Sequence, residues 1–75
     1  MTRDETIKRT IGANLRRVIE RNGMSITEAA AEIGTKRGTV SSWCNGRTTM
    51  TMMSLIDTCC ALGCSADELL GLEIK

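Results

Sequence analysis

Glycines at positions 23, 34, 46, 63 and 71, with no proline anywhere in 75 residues, constrain this chain more than any other feature. Each closes a segment whose apolar residues recur at helical spacing, so the chain divides into five short amphipathic helices. No stretch carries the alternation of a half-buried strand, and no repeat, linker or low-complexity segment breaks the pattern.

The helix starts agree with these stops. Thr2 with Glu5, Ser25 with Glu28 and Ser65 with Glu68 each place a hydroxyl three residues ahead of a carboxylate, which satisfies early helical N–H groups reciprocally. Thr51 supplies a further N-cap. In the first helix Ile7, Ile11, Leu15, Val18 and Ile19 form the inward stripe through about Asn22, and residues 1–5 are the candidate for a mobile arm. Gly12 sits inside this stripe at a cost of about 1 kcal/mol relative to alanine, so another backbone is expected to pass close there. Arg16, Arg17 and Arg21 lie off the stripe and read as a solvated face.

Ile26, Ala29, Ala30 and Ile33 form the stripe of the second helix, and its two alanines allow a neighbour to approach closely. Gly34 ends it, because glycine takes the left-handed conformation needed just past a helix C-terminus. The third helix opens at Thr35 or Lys36, turns Val40, Trp43 and Cys44 inward, and stops at Asn45-Gly46. Met52, Leu55, Ile56, Cys59 and Leu62 are the expected stripe of the fourth, and Leu69 and Leu70 of a short fifth. The expected fold is all-α, five helices in one domain over residues 1–75, with 72–75 as a tail.

The third helix is chemically unlike the rest. Its outward face carries Gly38, Ser41, Ser42 and Asn45, flanked by Arg37 and Thr39, and no carboxylate occurs between Glu32 and Asp57. A solvated face normally mixes signs. Net charge over the chain is only +1, so global basicity does not point to nucleic acid. The distribution does: residues 33–56 hold Lys36, Arg37 and Arg47 with no acid, whereas 57–75 hold four acids against Lys75.

Catalysis has no support, since histidine and tyrosine are absent, no phosphate-cradling glycine loop occurs, and a cysteine nucleophile would lack its base. The N-terminal MTRDETIKRT has no apolar core of a signal peptide and no run reaches membrane-spanning length, so a cytoplasmic location with no membrane partner is expected. Cys44, Cys59, Cys60 and Cys64 are then reduced thiols. Without histidine or a paired C-x-x-C they read as packing residues rather than metal ligands, Cys60 alone being exposed. No cofactor, metal or small-molecule ligand is indicated.

From about Ile11 through Gly71 the chain resembles the helix-turn-helix domains of phage repressor and Cro type, the lambda-repressor-like or XRE family. The match rests on the joint spacing of Ile11-Gly12, Leu15-Arg16, Gly23, Ser25, Ala30, Gly34, Val40, Trp43, Asn45-Gly46, Leu55, Ala61-Leu62-Gly63, Ser65 and Asp67-Glu68-Leu69-Leu70-Gly71. The resemblance implies a compact five-helix domain whose helices 2 and 3 form the motif, with the third in the major groove of double-stranded DNA. It implies a repressor or Cro-like regulator, acting as a homodimer on a palindromic operator.

By the matching positions, base contacts fall to Arg37, Gly38, Ser41 and Ser42, with Thr39 available for a thymine methyl or a phosphate. Arg37 is the expected main reader, because a guanidinium donates two bonds to guanine O6 and N7. Lys36, Asn45, Arg47 and Thr48 are the phosphate contacts, with Ser25 able to donate to phosphate beside its capping role. Ile26 stands where relatives commonly carry a phosphate-touching glutamine, and Met50 replaces the usual loop proline. Ile19 and Cys44 occupy the places of a partly buried Arg–Glu pair in relatives and are expected to touch; an apolar pair there leaves no orphan charge. Leu72 to Ile74, Met52, Met53 and Leu70 are candidates for a dimer surface. Two other readings fit the residues: a protein-interaction module that keeps the fold without reading DNA, and a thiol- or metal-responsive repressor using Cys59, Cys60 and Cys64.

Overall fold

The computed structural model describes residues 2–72, so the expectations for Met1 and for the tail at 73–75 lie outside the described residues. Five helices follow one another: α1 (Arg3–Arg21), α2 (Ile26–Ile33), α3 (Arg37–Cys44), α4 (Met52–Leu62) and α5 (Ala66–Leu70). Thr2, Ser25, Thr51 and Ser65 are the N-caps, each hydroxyl accepting from the backbone N–H three residues on. The segment expected as an arm is thereby incorporated: Thr2 caps α1, and Arg3 to Glu5 form its first turn.

The longest helix, α1, serves as the mast. Leu15, Val18 and Ile19 are buried against Ala29 and Ala30 of α2, Val40, Trp43 and Cys44 of α3, Leu62 of α4 and Leu69 of α5. Ile19 and Cys44, expected to touch, are members of this one core. Where α1 crosses α3 the backbones nearly meet. A Cβ on Gly12 would stand 2.5 Å from the Trp43 carbonyl oxygen and 2.7 Å from that of Cys44, closer than real Cβ atoms come. Glycine is there because the approach leaves no volume for a side chain.

Two asparagines, Asn14 buried and Asn22 exposed, then fasten α1 to the ends of other helices. Asn14 Nδ2 donates to the Leu69 carbonyl at 3.0 Å, and Asn22 Nδ2 donates to the Leu62 carbonyl at 3.2 Å. Both acceptors belong to last-turn carbonyls that have no partner within their own helix. On the surface Arg21 forks onto Glu68 of α5, at 2.5 and 3.1 Å. That bond raises the Arg21 pKa and holds the Glu68 carboxyl below the ordinary glutamate range. Arg21 is thus engaged with the fold rather than merely solvated.

Two stripes shift from their expected register. Ile7 is 43% exposed, so the buried face of α1 begins at Ile11. In α4 the buried residues are Thr58 and Leu62, with Leu55, Cys59 and Ala61 packed beside them, while Met52 and Ile56 face outward. The sequence MMSLIDTCCAL is apolar nearly all round, so periodicity alone does not choose its inner face; docking against α2 and α5 does. The choice buries the Thr58 hydroxyl completely and leaves it without a hydrogen-bond partner. No described helix is long and apolar enough to cross a membrane.

Two stability measurements check this packing, both by chemical denaturation followed through the single tryptophan, Trp43. Gly12→Ala should destabilise by about 1–3 kcal/mol despite its better helix propensity, because overpacking against a carbonyl outweighs it. Thr58→Val should stabilise by about 1 kcal/mol, because it deletes an unsatisfied buried hydroxyl at nearly constant shape.

Candidate nucleic-acid interface

The unit of α2, turn and α3 is set by devices at both ends of α2. At its start, Ser25 Oγ accepts from the Glu28 N–H at 3.1 Å, and Glu28 Oε1 accepts from the Ser25 N–H at 3.0 Å. The Ser25 backbone N–H and then its hydroxyl hold the Glu28 carboxyl below the ordinary glutamate range. At the far end of α2, Gly34 has φ 88°, and the N–H groups of Gly34 and Thr35 both donate to the Ala30 carbonyl at 2.9 Å. Three residues suffice to reverse the chain, and α3 begins at once.

Val40, Trp43 and Cys44 anchor α3 by its inner face, so the orientation of the outer face follows. Arg37, Gly38 and Asn45 are exposed there, Thr39, Ser41 and Ser42 are half-buried at its margins, and Lys36, Arg47 and Thr48 are exposed at its two ends. Nine of the ten residues expected at the interface fall on the turn, on α3 and on the loop after it; the tenth, Ser25, is the N-cap of α2. The electrostatics of α3 are lopsided. Its N-cap is Lys36, with no side-chain cap bond, and its first turn holds Arg37 and no acid; α1, α2 and α5 each carry acids in the first turn. Cations at the positive pole of a helix repel it, and an anion placed there relieves both. Among the described residues the one ion pair is Arg21–Glu68, so Lys36, Arg37 and Arg47 are uncommitted.

Beyond α3 the Asn45-Gly46 turn tucks against α1. A Cβ on Gly46 would lie 3.1 Å from Arg9 Cγ, and Arg16 Nη2 donates to Asn45 Oδ1 at 3.2 Å. Asn45 Nδ2 in turn donates to Ser41 Oγ at 3.4 Å. Arg9, Arg16 and Arg17 line an open groove of about 380 Å³ with Asn45 and Glu20. Arg16 is exposed, as its place off the apolar stripe implies, and in addition reaches Asn45: Arg9, Gly12 and Arg16 share one helical face, and Gly12 marks where α3 crosses.

The cysteines are spread through the core and its rim. Burial pushes the Cys44 thiol up, and burial with the neighbouring Cys59 pushes Cys64 up to about 11. Both remain protonated at neutral pH, the form that neither attacks oxidants nor binds metal. Among the described residues no three His, Cys, Asp or Glu side chains converge as metal ligands.

The family model for helix-turn-helix domains, HTH_3, matches residues 15–69. The chain belongs to that family. It is a non-enzymatic DNA-binding regulator of the XRE family. Among solved structures, it is similar to the restriction-modification controller protein C.AhdI of Aeromonas hydrophila, at 22% identity and TM-score 0.79 over 83% of this chain and 94% of that one. The clp gene regulator ClgR of Corynebacterium glutamicum is 28% identical with TM-score 0.79, over 85% of this chain and 68% of its own. A hypothetical transcription factor, NHTF, from Neisseria is 24% identical with TM-score 0.82, over 93% and 80% respectively. No curated protein matches.

Removal of the capping hydroxyl tests the start of α2. Ser25→Ala should cost about 1 kcal/mol at neutral pH by thermal denaturation. A carboxyl depressed on folding stabilises above the ordinary glutamate range and loses that contribution as pH falls through its folded value. The gap between wild type and Ser25→Ala should accordingly narrow in acid, because the part of the Glu28 depression that comes from the Ser25 hydroxyl is lost on protonation, whereas the backbone N–H bond to Glu28 is common to both proteins.

Proposed function

We propose that this regulator is a repressor or Cro-like protein that reads a palindromic operator as a homodimer, with α3 in the major groove. The observation that carries the reading is the outer face of α3: small, polar, free of carboxylates, and fronted by the exposed, unpaired Arg37. Gly38, Ser41 and Ser42 are short enough for the helix axis to sit deep in the groove, with Thr39 beside them on the flank. Lys36 and Arg47 bracket that face, so phosphates on either side meet a cation, and Asn45, Thr48 and Ser25 add uncharged donors.

One module of this size offers few base contacts, which favours a two-fold dimer. Met52 and Met53 are 71% and 69% exposed and Ile56 50%, forming an apolar outer face of α4 to which Leu72, also exposed, is added beyond α5. A second copy is the occupant that operator symmetry calls for. Leu70, half-buried, lines a shallow groove with Ile11, Met50 and Leu55 next to this face. The raised Cys64 thiol gives no support to a thiol-responsive variant of the reading.

Selection of duplexes from a random pool at two salt concentrations tests the proposal. The expected product is an inverted repeat with half-sites about one helical turn apart. In the same format Arg37→Ala should lose its preference at one guanine per half-site, with a discrimination of about 1–3 kcal/mol removed. Retention only at low salt, without a shared sequence, would favour the protein-interaction reading, to which the net charge of +1 and Ile26 at the α2 start lend weight.

A further inference from the structure

We propose that Arg16 is a positioning residue for sequence reading: through Asn45 it fixes Ser41 as a hydrogen-bond donor on the outer face of α3. The inference rests on α3 being the helix that meets the bases.

A guanidinium has five N–H donors and no acceptor, so the Asn45 atom that faces it has to be the oxygen. The Arg16 Nη2 to Asn45 Oδ1 bond of 3.2 Å therefore determines which way round the amide sits. The amide nitrogen is then the atom directed at Ser41, where Nδ2 donates to Oγ at 3.4 Å. Without Arg16 the two ends of an asparagine amide are nearly interchangeable in shape, and either polarity suits a hydroxyl.

A serine hydroxyl has one proton and two lone pairs. Asn45 occupies one lone pair, and Ser41 donates to no other group among the described residues. Its proton is accordingly available outward. A donor there favours guanine O6 or N7, adenine N7 or thymine O4, and disfavours the N4 amino group of cytosine. Arg16 touches no base in this arrangement; it sets the direction of a relay that runs from α1 to the reading face.

The framework holding the relay is stiff. Gly12, one turn before Arg16 on the same face, allows α1 to approach to where a Cβ would stand 2.7 Å from the Cys44 carbonyl oxygen, next to Asn45. Arg16 forms no ion pair among the described residues, and Glu20 is the one carboxylate lining its groove. Asn45 is therefore its hydrogen-bond partner, rather than one of several competing ones.

Duplex selection with wild type, Arg16→Met, Arg16→Lys and Ser41→Ala tests this, with circular dichroism to confirm equal folding. Arg16→Met keeps the aliphatic stem and removes every donor; Arg16→Lys keeps a group that only donates. The expected result is that Arg16→Met and Ser41→Ala relax preference at the same base of the half-site, by about fivefold, the weight of one net hydrogen bond. Arg16→Lys should retain it, and the guanine that responds to Arg37→Ala should be unaffected in all three. A uniform loss of affinity in Arg16→Met with a shallower salt dependence would make Arg16 a phosphate contact and overturn the relay. Wild-type preference in Arg16→Met would overturn it as well. If wild type itself selects no sequence, the operator reading falls first and the relay with it.

Discussion

The contact on which this domain depends is the meeting of Gly12 with the carbonyls of Trp43 and Cys44. It has no side chain on one side and the last turn of α3 on the other, so α1 and α3 pack backbone to backbone. An interior at near-crystalline density transmits such a constraint to its surroundings. The approach seats Trp43 and Cys44 in the core, which aims the opposite face of α3 outward, and it brings Arg9 and Arg16 alongside the Asn45-Gly46 turn. The position of α3 and the surroundings of its C-terminal end thus follow from a single close crossing.

Around that crossing α1 satisfies polar groups that other helices leave open. Asn14 and Asn22 reach the terminal carbonyls of α5 and α4, and Arg21 holds Glu68 near the start of α5. Short helices have a large share of unsatisfied ends, and in α5, five residues long, nearly every backbone group is an end. A neighbour's side chain is then a more effective partner than water, because the bond also fixes relative position. What stays unsatisfied is concentrated at α3: an N-terminus capped by no side chain, two consecutive cations and no acid. That imbalance is costly in isolation and favourable against a polyanion.

Much of the fold, and the outward face of α3, were legible in the residues. Hydroxyl caps, αL glycines and the three-residue turn are local devices, decided within four or five positions of chain, and all five helices begin and end where those devices stand. The exposed face of α3 was legible for the same reason, since Val40, Trp43 and Cys44 identify its inside by spacing alone. Gly12 announced a close approach but not its partner. The inner face of α4 was misread, with Met52 and Ile56 assigned to a core that instead takes Thr58. A helix apolar on every side has no preferred inside until a neighbour arrives.

By itself the sequence determined the helices, their order, the turn between α2 and α3, and an outer face of α3 without carboxylates, because each is set by short-range sterics, capping and periodicity. Only the tertiary structure decided that Arg16 meets Asn45, that Asn14 and Asn22 close the ends of α5 and α4, and that Thr58 is buried unpaired. These join residues 29 to 55 positions apart or depend on which face is covered. No local pattern encodes such pairings; they exist once the helices have packed.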